Sequence, residues 1–178
     1  MTEINVRMLD EADWQAYRDL RLEALRESPG AFVTSDETES PSDHEPVWRA
    51  RMRRARWFVA DRDGTTVGVI GLGVHDADGE DGELLGLWVN PQSRRGHVAW
   101  ALVRAAAEQA AADGRSRLYF WVGSDNGPAV AFASTIGFSP TSERRPAGHP
   151  TPTDATGEVA MALALTADPT SVKNPLLP

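Results

Sequence analysis

The run Leu84-Leu85-Gly86-Leu87-Trp88-Val89-Asn90-Pro91-Gln92-Ser93-Arg94-Arg95-Gly96-His97-Val98-Ala99-Trp100-Ala101-Leu102-Val103 constrains this chain more than any other stretch. Its apolar opening predicts a strand over Leu84–Val89 that stops at Asn90-Pro91. The alanine-rich continuation predicts a helix over Val98–Ala112, closed by Asp113-Gly114. A tight basic turn lies between them. Backbone N–H groups at such a helix start have no intrahelical acceptor, and with the helix dipole they form a place for an anion such as a pyrophosphate. Arg94 and Arg95 add positive charge beside it. An ordinary strand-to-helix connection with two solvated arginines fits the same residues, so the turn alone does not decide between the two.

Elsewhere, short apolar runs alternate with helical patterns, which predicts a mixed α/β domain and not a bundle or a sandwich. Ile4, Val6 and Met8 alternate as in a half-buried strand, and Asp10 reads as the N-cap of a helix carrying Trp14, Tyr17, Leu20, Leu22 and Leu25. A polar loop over Thr34–Ser42 precedes a second helix, opened by Pro41-Ser42-Asp43 and reaching Arg56. Trp57–Ala60 and Val67–Val74 flank Asp63-Gly64 as a hairpin. The acidic, glycine-containing stretch His75–Gly82 reads as a turn or loop. Further strands are expected over Leu118–Val122, from Phe138, and over Glu158–Leu165, with a short helix over Pro128–Ile136. Residues 1–165 form the expected domain. The rest, 166–178, is polar and contains three prolines, and reads as a flexible tail.

With 178 residues, one domain buries enough surface to need no staple, and the absence of cysteine removes disulfides, thiolate nucleophiles and cysteine-based metal sites together. A net charge of −8 gives no global attraction for a phosphate backbone, so a polyanion would need a local basic patch. Met1–Arg7 shows neither basic leader nor apolar h-region, and no stretch reaches the roughly 20 apolar residues of a membrane span, so the expected location is cytoplasmic. His44, His75, His97 and His149 have no metal-ligand spacing.

Three separated segments resemble the GNAT superfamily of acyl-CoA-dependent N-acyltransferases, over about Ile4 to Leu165. The strand-turn-helix is similar to the superfamily's pyrophosphate motif, Arg or Gln followed by x-x-Gly-x-Gly or Ala, with Arg94 first and Ala99 last. Asn126-Gly127-Pro128-Ala129 through Gly137-Phe138 is similar to its Asn-x-x-Ala helix closing in Gly-Phe, and Val6-Arg7 to Leu25, Ser28-Pro29 and Phe32 resemble the opening of a common bacterial branch. The resemblance implies a mostly antiparallel mixed sheet flanked by helices, with a splayed central strand pair. It also implies an N-acetyltransferase that moves an acetyl group from acetyl-CoA to a small-molecule amine by direct attack in a ternary complex. Trp88 and Val89 would pair with the pantetheine arm, and the amides from Arg94 through Arg95, Gly96, His97, Val98, Ala99 and Trp100 would hold the pyrophosphate. Asn126 matches a cofactor-arm contact. Glu83 falls where some members carry a general-base glutamate, which would take the proton an ammonium must lose before its nitrogen attacks. Glu83 fits equally a solvated acidic run with Asp78, Glu80 and Asp81.

Two positions depart from the pattern. His97 stands at a glycine of that motif, where histidine tolerates positive φ less easily; an ordinary helical conformation there and a blocked pyrophosphate site are both open outcomes. Ala133 stands where many members carry the tyrosine that protonates the departing thiolate, and Ser134 lies about 100° away round the helix. Ser124, water or the substrate remain as proton donors. These departures, with the run Arg49, Arg51, Arg53, Arg54 and Arg56, keep two alternatives open. One is an acyltransferase taking its acyl group from a carrier protein or aminoacyl-tRNA, and the other a weakened CoA-binding or small-molecule-binding module. The acidic loop Asp76–Glu83 would favour a cationic amine. Acceptor specificity is expected in the loops Ser28–Asp43 and Arg145–Thr156, and the assembly is expected to be a monomer or homodimer.

Overall fold

The structure is a computed structural model that describes residues 3–27, 44–145, 157–165 and Val172. The loop predicted over 34–42, the opening of the second helix at 41–43 and almost all of both acceptor loops and the tail lie outside the described residues. Among the described residues, seven strands form one sheet in the order β1-β2-β3-β4-β5-β7-β6. The β4–β5 pair is parallel, and the other registered pairs are antiparallel. That matches the expected fold class. The chain divides into two compact units, Met1–Gly73 with Leu85–Ala106 and Val74–Leu84 with Ala107–Pro178. β4 (Asp81–Val89) and α3 (Val98–Ala112) contribute to both.

In the first unit, β1 (Ile4–Met8) lies antiparallel to β2 (Arg56–Arg62), which turns back into β3 (Thr65–Val74). The turn works because Asp63 and Gly64 both adopt positive φ, 51° and 77°, the combination that matches the twist of a two-residue hairpin. Asp10 caps the next element as expected: its carboxylate accepts from the Ala12 N–H at 2.7 Å, while Asp13 accepts from the Asp10 N–H at 3.0 Å. A short 3-10 turn, Glu11–Asp13, then leads into α1 (Trp14–Glu27). Helical spacing puts Tyr17, Leu20 and Ala24 on one face, against Leu9, Trp48, Met52, Trp57, Val59, Val69 and Trp88. Tyr17 meets Trp48 edge-on at 6.0 Å and Trp57 at 4.8 Å, which orients the rings as well as burying them.

α2 spans Glu45–Met52 and does not reach Arg56. The Arg53 and Arg54 amides bond back to the Arg49 and Arg51 carbonyls and close the helix, and Arg56 is claimed by its sheet partner Leu72. Strand pairing outcompetes helix propensity there.

In the second unit, β4 pairs with β5 (Arg117–Gly123) from Asp81↔Arg117 to Leu84↔Phe120. α4 (Gly127–Thr135) follows, and β7 (Glu158–Ala164) lies between β5 and β6 (Ser139–Arg145). β4 starts three residues before its predicted beginning because Asp81, although acidic, is buried and paired with Arg117 at 3.0 Å. That guanidinium's pKa is raised, chiefly by its hydrogen bond to Asp81.

Strand alternation then sorts this sheet into two faces. Leu118, Val122, Val159, Met161 and Leu163 are buried on one, the face that supplies the apolar core with Ala133, Ile136 and Phe138. In-register partners share a side, so Asp81, Glu83, Arg117, Tyr119, Trp121 and Glu158 all belong to the other. Among the described residues no helix is long and apolar enough to cross a membrane.

Candidate active site

The turn after β4 is held from below by its own first unit. Asn90 caps the 3-10 turn Pro91–Ser93 by accepting from the Gln92 N–H, and its own N–H donates to Val67 at 2.8 Å. Arg94 donates through Nε to the Val89 carbonyl at 3.0 Å and through Nη2 to Glu27 at 2.7 Å. The same Glu27 oxygen accepts from the Trp88 indole N–H at 2.9 Å. Trp88 and Val89 are buried, with these two polar groups already engaged. Arg94 therefore ties the end of α1 to the turn. Arg95 is exposed, and Trp100 lies under the Arg104 guanidinium at 5.4 Å.

Arg62 fixes the next peptide. Its Nη2 donates to the Gly96 carbonyl at 2.7 Å. Peptide bonds here are trans, so the His97 N–H of the same plane points the opposite way. Gly96 leaves room for this bond: a Cβ there would meet the end of the Arg62 guanidinium, which would have to shift.

His97 has φ of +61°, so the left-handed conformation that glycine serves is kept, and the ordinary helical alternative is excluded. His97 is exposed, while the neighbouring Val98 is fully buried. Among the described residues, the Arg95, His97, Val98 and Ala99 amides donate to no backbone carbonyl, whereas Gly96 N–H is taken by Ser93. Four N–H groups, that of Arg95 in the turn and those of His97, Val98 and Ala99 at the start of a fifteen-residue helix, are thus left for an acceptor from outside.

The second unit holds a different cluster around Glu83. This carboxylate is no solvated member of an acidic run, since its side chain is only 14% exposed. His75, 11% exposed, faces it with Nδ1 at 2.8 Å from Glu83 Oε2 and faces Glu143, 47% exposed, with Nε2 at 3.0 Å from Oε2. The imidazole lies flat on Tyr119, with centroids 3.8 Å apart and planes 6° from parallel. Arg145 Nη1 stands 3.9 Å from Glu83 Oε1, pairs through Nε with Glu158 and covers the Trp121 ring at 4.4 Å. The Tyr119 phenol has a raised pKa, mainly from burial; the charge of Arg117 works against the rise, while Glu143, Asp81 and Asp76 add to it.

Other candidates are engaged elsewhere. Asn126 caps α4, accepting from the Ala129 N–H at 3.2 Å. Ala133 has no exposed surface, and the Ser124 hydroxyl donates to the Gly157 carbonyl at 2.8 Å. In the arginine run, Arg49 pairs with Glu45 and Arg53 with Glu11, while Arg51 stacks on Trp48 at 4.8 Å. Sequence reasoning missed Glu27, Arg62, His75 and Glu143. Of these only His75 carried a local signal, because it closes a hairpin with Asp81 that sets it diagonally beside Glu83.

The Acetyltransferase (GNAT) family profile matches residues 14–138. Mycothiol acetyltransferase of Mycobacterium marinum is 35% identical over 94 residues, 53% of this chain but only 28% of that protein. Among solved structures, yncA from Salmonella typhimurium, with its cofactor acetyl-CoA, is similar at a TM-score of 0.69 and 17% identity, covering 93% of this chain and 95% of that one. Ribosomal-protein-alanine N-acetyltransferase from Brucella melitensis gives 0.70 at 20% identity, covering 90% and 99%. The family match takes in both the turn and Glu83, and the chain belongs to the GNAT acetyltransferase family.

Proposed function

We propose that this chain transfers an acetyl group from acetyl-CoA to the amine of a small molecule by direct attack in a ternary complex. The observation that carries the reading is His97: a side-chain-bearing residue held at φ +61° keeps the turn's amides open. Strain of this kind persists where the surrounding structure enforces it, and here it is enforced at a group of outward N–H donors. A diphosphate fits them. Arg95, His97, Val98 and Ala99 would donate to it, with Arg62 and Arg94 orienting the turn from behind.

When bound, the donor supplies an acyl thioester. Glu83 takes the proton that an alkylammonium must lose, the freed nitrogen forms the C–N bond, the C–S bond breaks to leave CoA thiolate, and the second proton that the nitrogen sheds on becoming an amide passes to water or to that thiolate. Ala133 offers that thiolate no proton, and the Ser124 hydroxyl is already donated. A thiol with pKa near 8.5 departs as the anion, so the absence of an acid slows turnover without preventing it. The relatives named for mycothiol and for ribosomal-protein alanine are consistent with an amine acceptor. The engaged arginines give no support to a carrier-protein or tRNA donor.

The test is CoA release from acetyl-CoA across a panel of primary amines. Glu83→Gln should lower kcat by about 10²- to 10⁴-fold while acetyl-CoA still binds. No release with any amine would refute the reading.

A further inference from the structure

Glu83 has two carboxylate oxygens, and the cluster treats them differently. Oε2 faces His75 Nδ1 at 2.8 Å, whereas the cation nearest Oε1, Arg145 Nη1, stands off at 3.9 Å. We propose that His75 is the positioning residue for Glu83: its Nδ1–H holds Oε2 and so leaves Oε1 as the oxygen that takes the proton from the attacking amine. The inference rests on the proposed role of Glu83 as base.

Three features fix the imidazole in that duty. Tyr119 stacks on it within 6° of parallel, which sets the ring plane. Trp121 approaches from the side at 6.1 Å. Glu143 occupies Nε2, which prevents the ring from flipping without losing a second contact. A neutral imidazole has one N–H, and only the tautomer that carries it on Nδ1 gives Glu83 a donor. In that tautomer Nδ1 donates to the ionised carboxylate, and a donor at one oxygen restricts where the next proton lands. His75 makes and breaks no covalent bond in this step; its N–H stays intact.

Two measurements decide it. In long-range 1H–15N spectra of the full chain, with the His75 ring assigned by its loss in His75→Asn, Nδ1 should appear protonated. Glu83→Gln should shift Nδ1 more than Nε2, and Glu143→Gln the reverse. An unprotonated Nδ1 overturns the proposal, and no acceptor is needed to see it. Kinetically, Asn places its amide where Nδ1 lies and Gln places it nearer Nε2. His75→Gln is expected to lose about 10- to 100-fold in kcat with the acetyl-CoA KM within twofold, a smaller loss than for the base itself. His75→Asn is expected to recover most of it. Equal kcat in wild type, His75→Gln and His75→Asn, with Glu83→Gln inactive, overturns the role of His75 alone. Full activity of Glu83→Gln instead overturns the base assignment, and the positioning role falls with it.

Discussion

The Arg62 guanidinium donates to the carbonyl of Gly96 at 2.7 Å, and that bond aims the peptide whose other end is the His97 N–H. The two residues are separated by 34 positions, and each explains the other. The guanidinium sits where a Cβ on Gly96 would lie, so a larger residue there would have to displace it. Removing either should have the same consequence. Arg62→Met deletes the donor, and Gly96→Ala displaces it. Each should reduce stability by about 1–2 kcal/mol and weaken CoA binding by roughly tenfold. The double variant should be no worse than the poorer single, because both lose one interaction. Urea unfolding and calorimetric titration of the four proteins check this.

His97 should tolerate glycine and reject branching. A left-handed residue with a Cβ costs about 1–2 kcal/mol, while glycine costs about 0.5–1 kcal/mol in chain entropy, so His97→Gly should change stability by less than about 1 kcal/mol. The exposed ring contributes no core packing to offset this. CoA affinity should hold or rise. His97→Val should lose about 2 kcal/mol and bind CoA more weakly, since a β-branched side chain fits positive φ worst. Thermal unfolding with and without CoA separates the two effects.

Glu27 accepts from both Trp88 and Arg94 through one oxygen, so Glu27→Ala leaves an indole N–H and a guanidinium without that acceptor. A loss of about 1–3 kcal/mol is expected, with weaker CoA binding as the turn loses its anchor on α1. Glu27→Gln should fall between wild type and Ala in both measurements.

Tyr119 predicts an alkaline limit to stability. Burial raises its folded pKa above the ordinary value near 10. Between the two values the unfolded chain has released a proton that the folded chain retains, so stability is complete below pH 10 and declines as pH rises through the folded value. Tyr119→Phe should remove that component. Unfolding midpoints of both proteins between pH 8 and 11 read it, and parallel curves would contradict it.

Asp61 works at the acid end. Burial pushes its pKa up, but the hydrogen bonds from Thr66 and Arg7 and the charge of Arg7 together outweigh that and hold it below the ordinary carboxylate value. Its contribution is present above that ordinary value and declines as pH falls through the folded one. Asp61→Asn should flatten this part of the acid unfolding curve.

Elements with a local chemical cause were readable from the sequence. Asp10 and Asp13 form the cap their types imply, Asp63-Gly64 makes the hairpin, and α3 begins and ends at the residues expected from its alanines and Asp113-Gly114. What failed depended on distant partners. The sequence pattern runs the second helix too far because nothing near Arg56 reveals its pairing with Leu72. It starts β4 too late because the burial of Asp81 depends on Arg117. At the candidate site, motif spacing points to the turn and to Glu83. Arg62, Glu27 and Glu143 were not, since each acts across the fold and has a common, individually uninformative identity. Local propensity argues against positive φ at a histidine, so the φ of +61° at His97 is not legible in the sequence.

The most direct test follows the backbone amides of Arg95, His97, Val98 and Ala99 by NMR as CoA is titrated into the full chain. A saturable downfield displacement of these four, larger than at Gly96, whose N–H is already bonded to Ser93, is the predicted result. Saturable CoA binding that leaves the four amides unmoved, or no binding at millimolar CoA, would contradict the claim that this turn holds the donor's diphosphate.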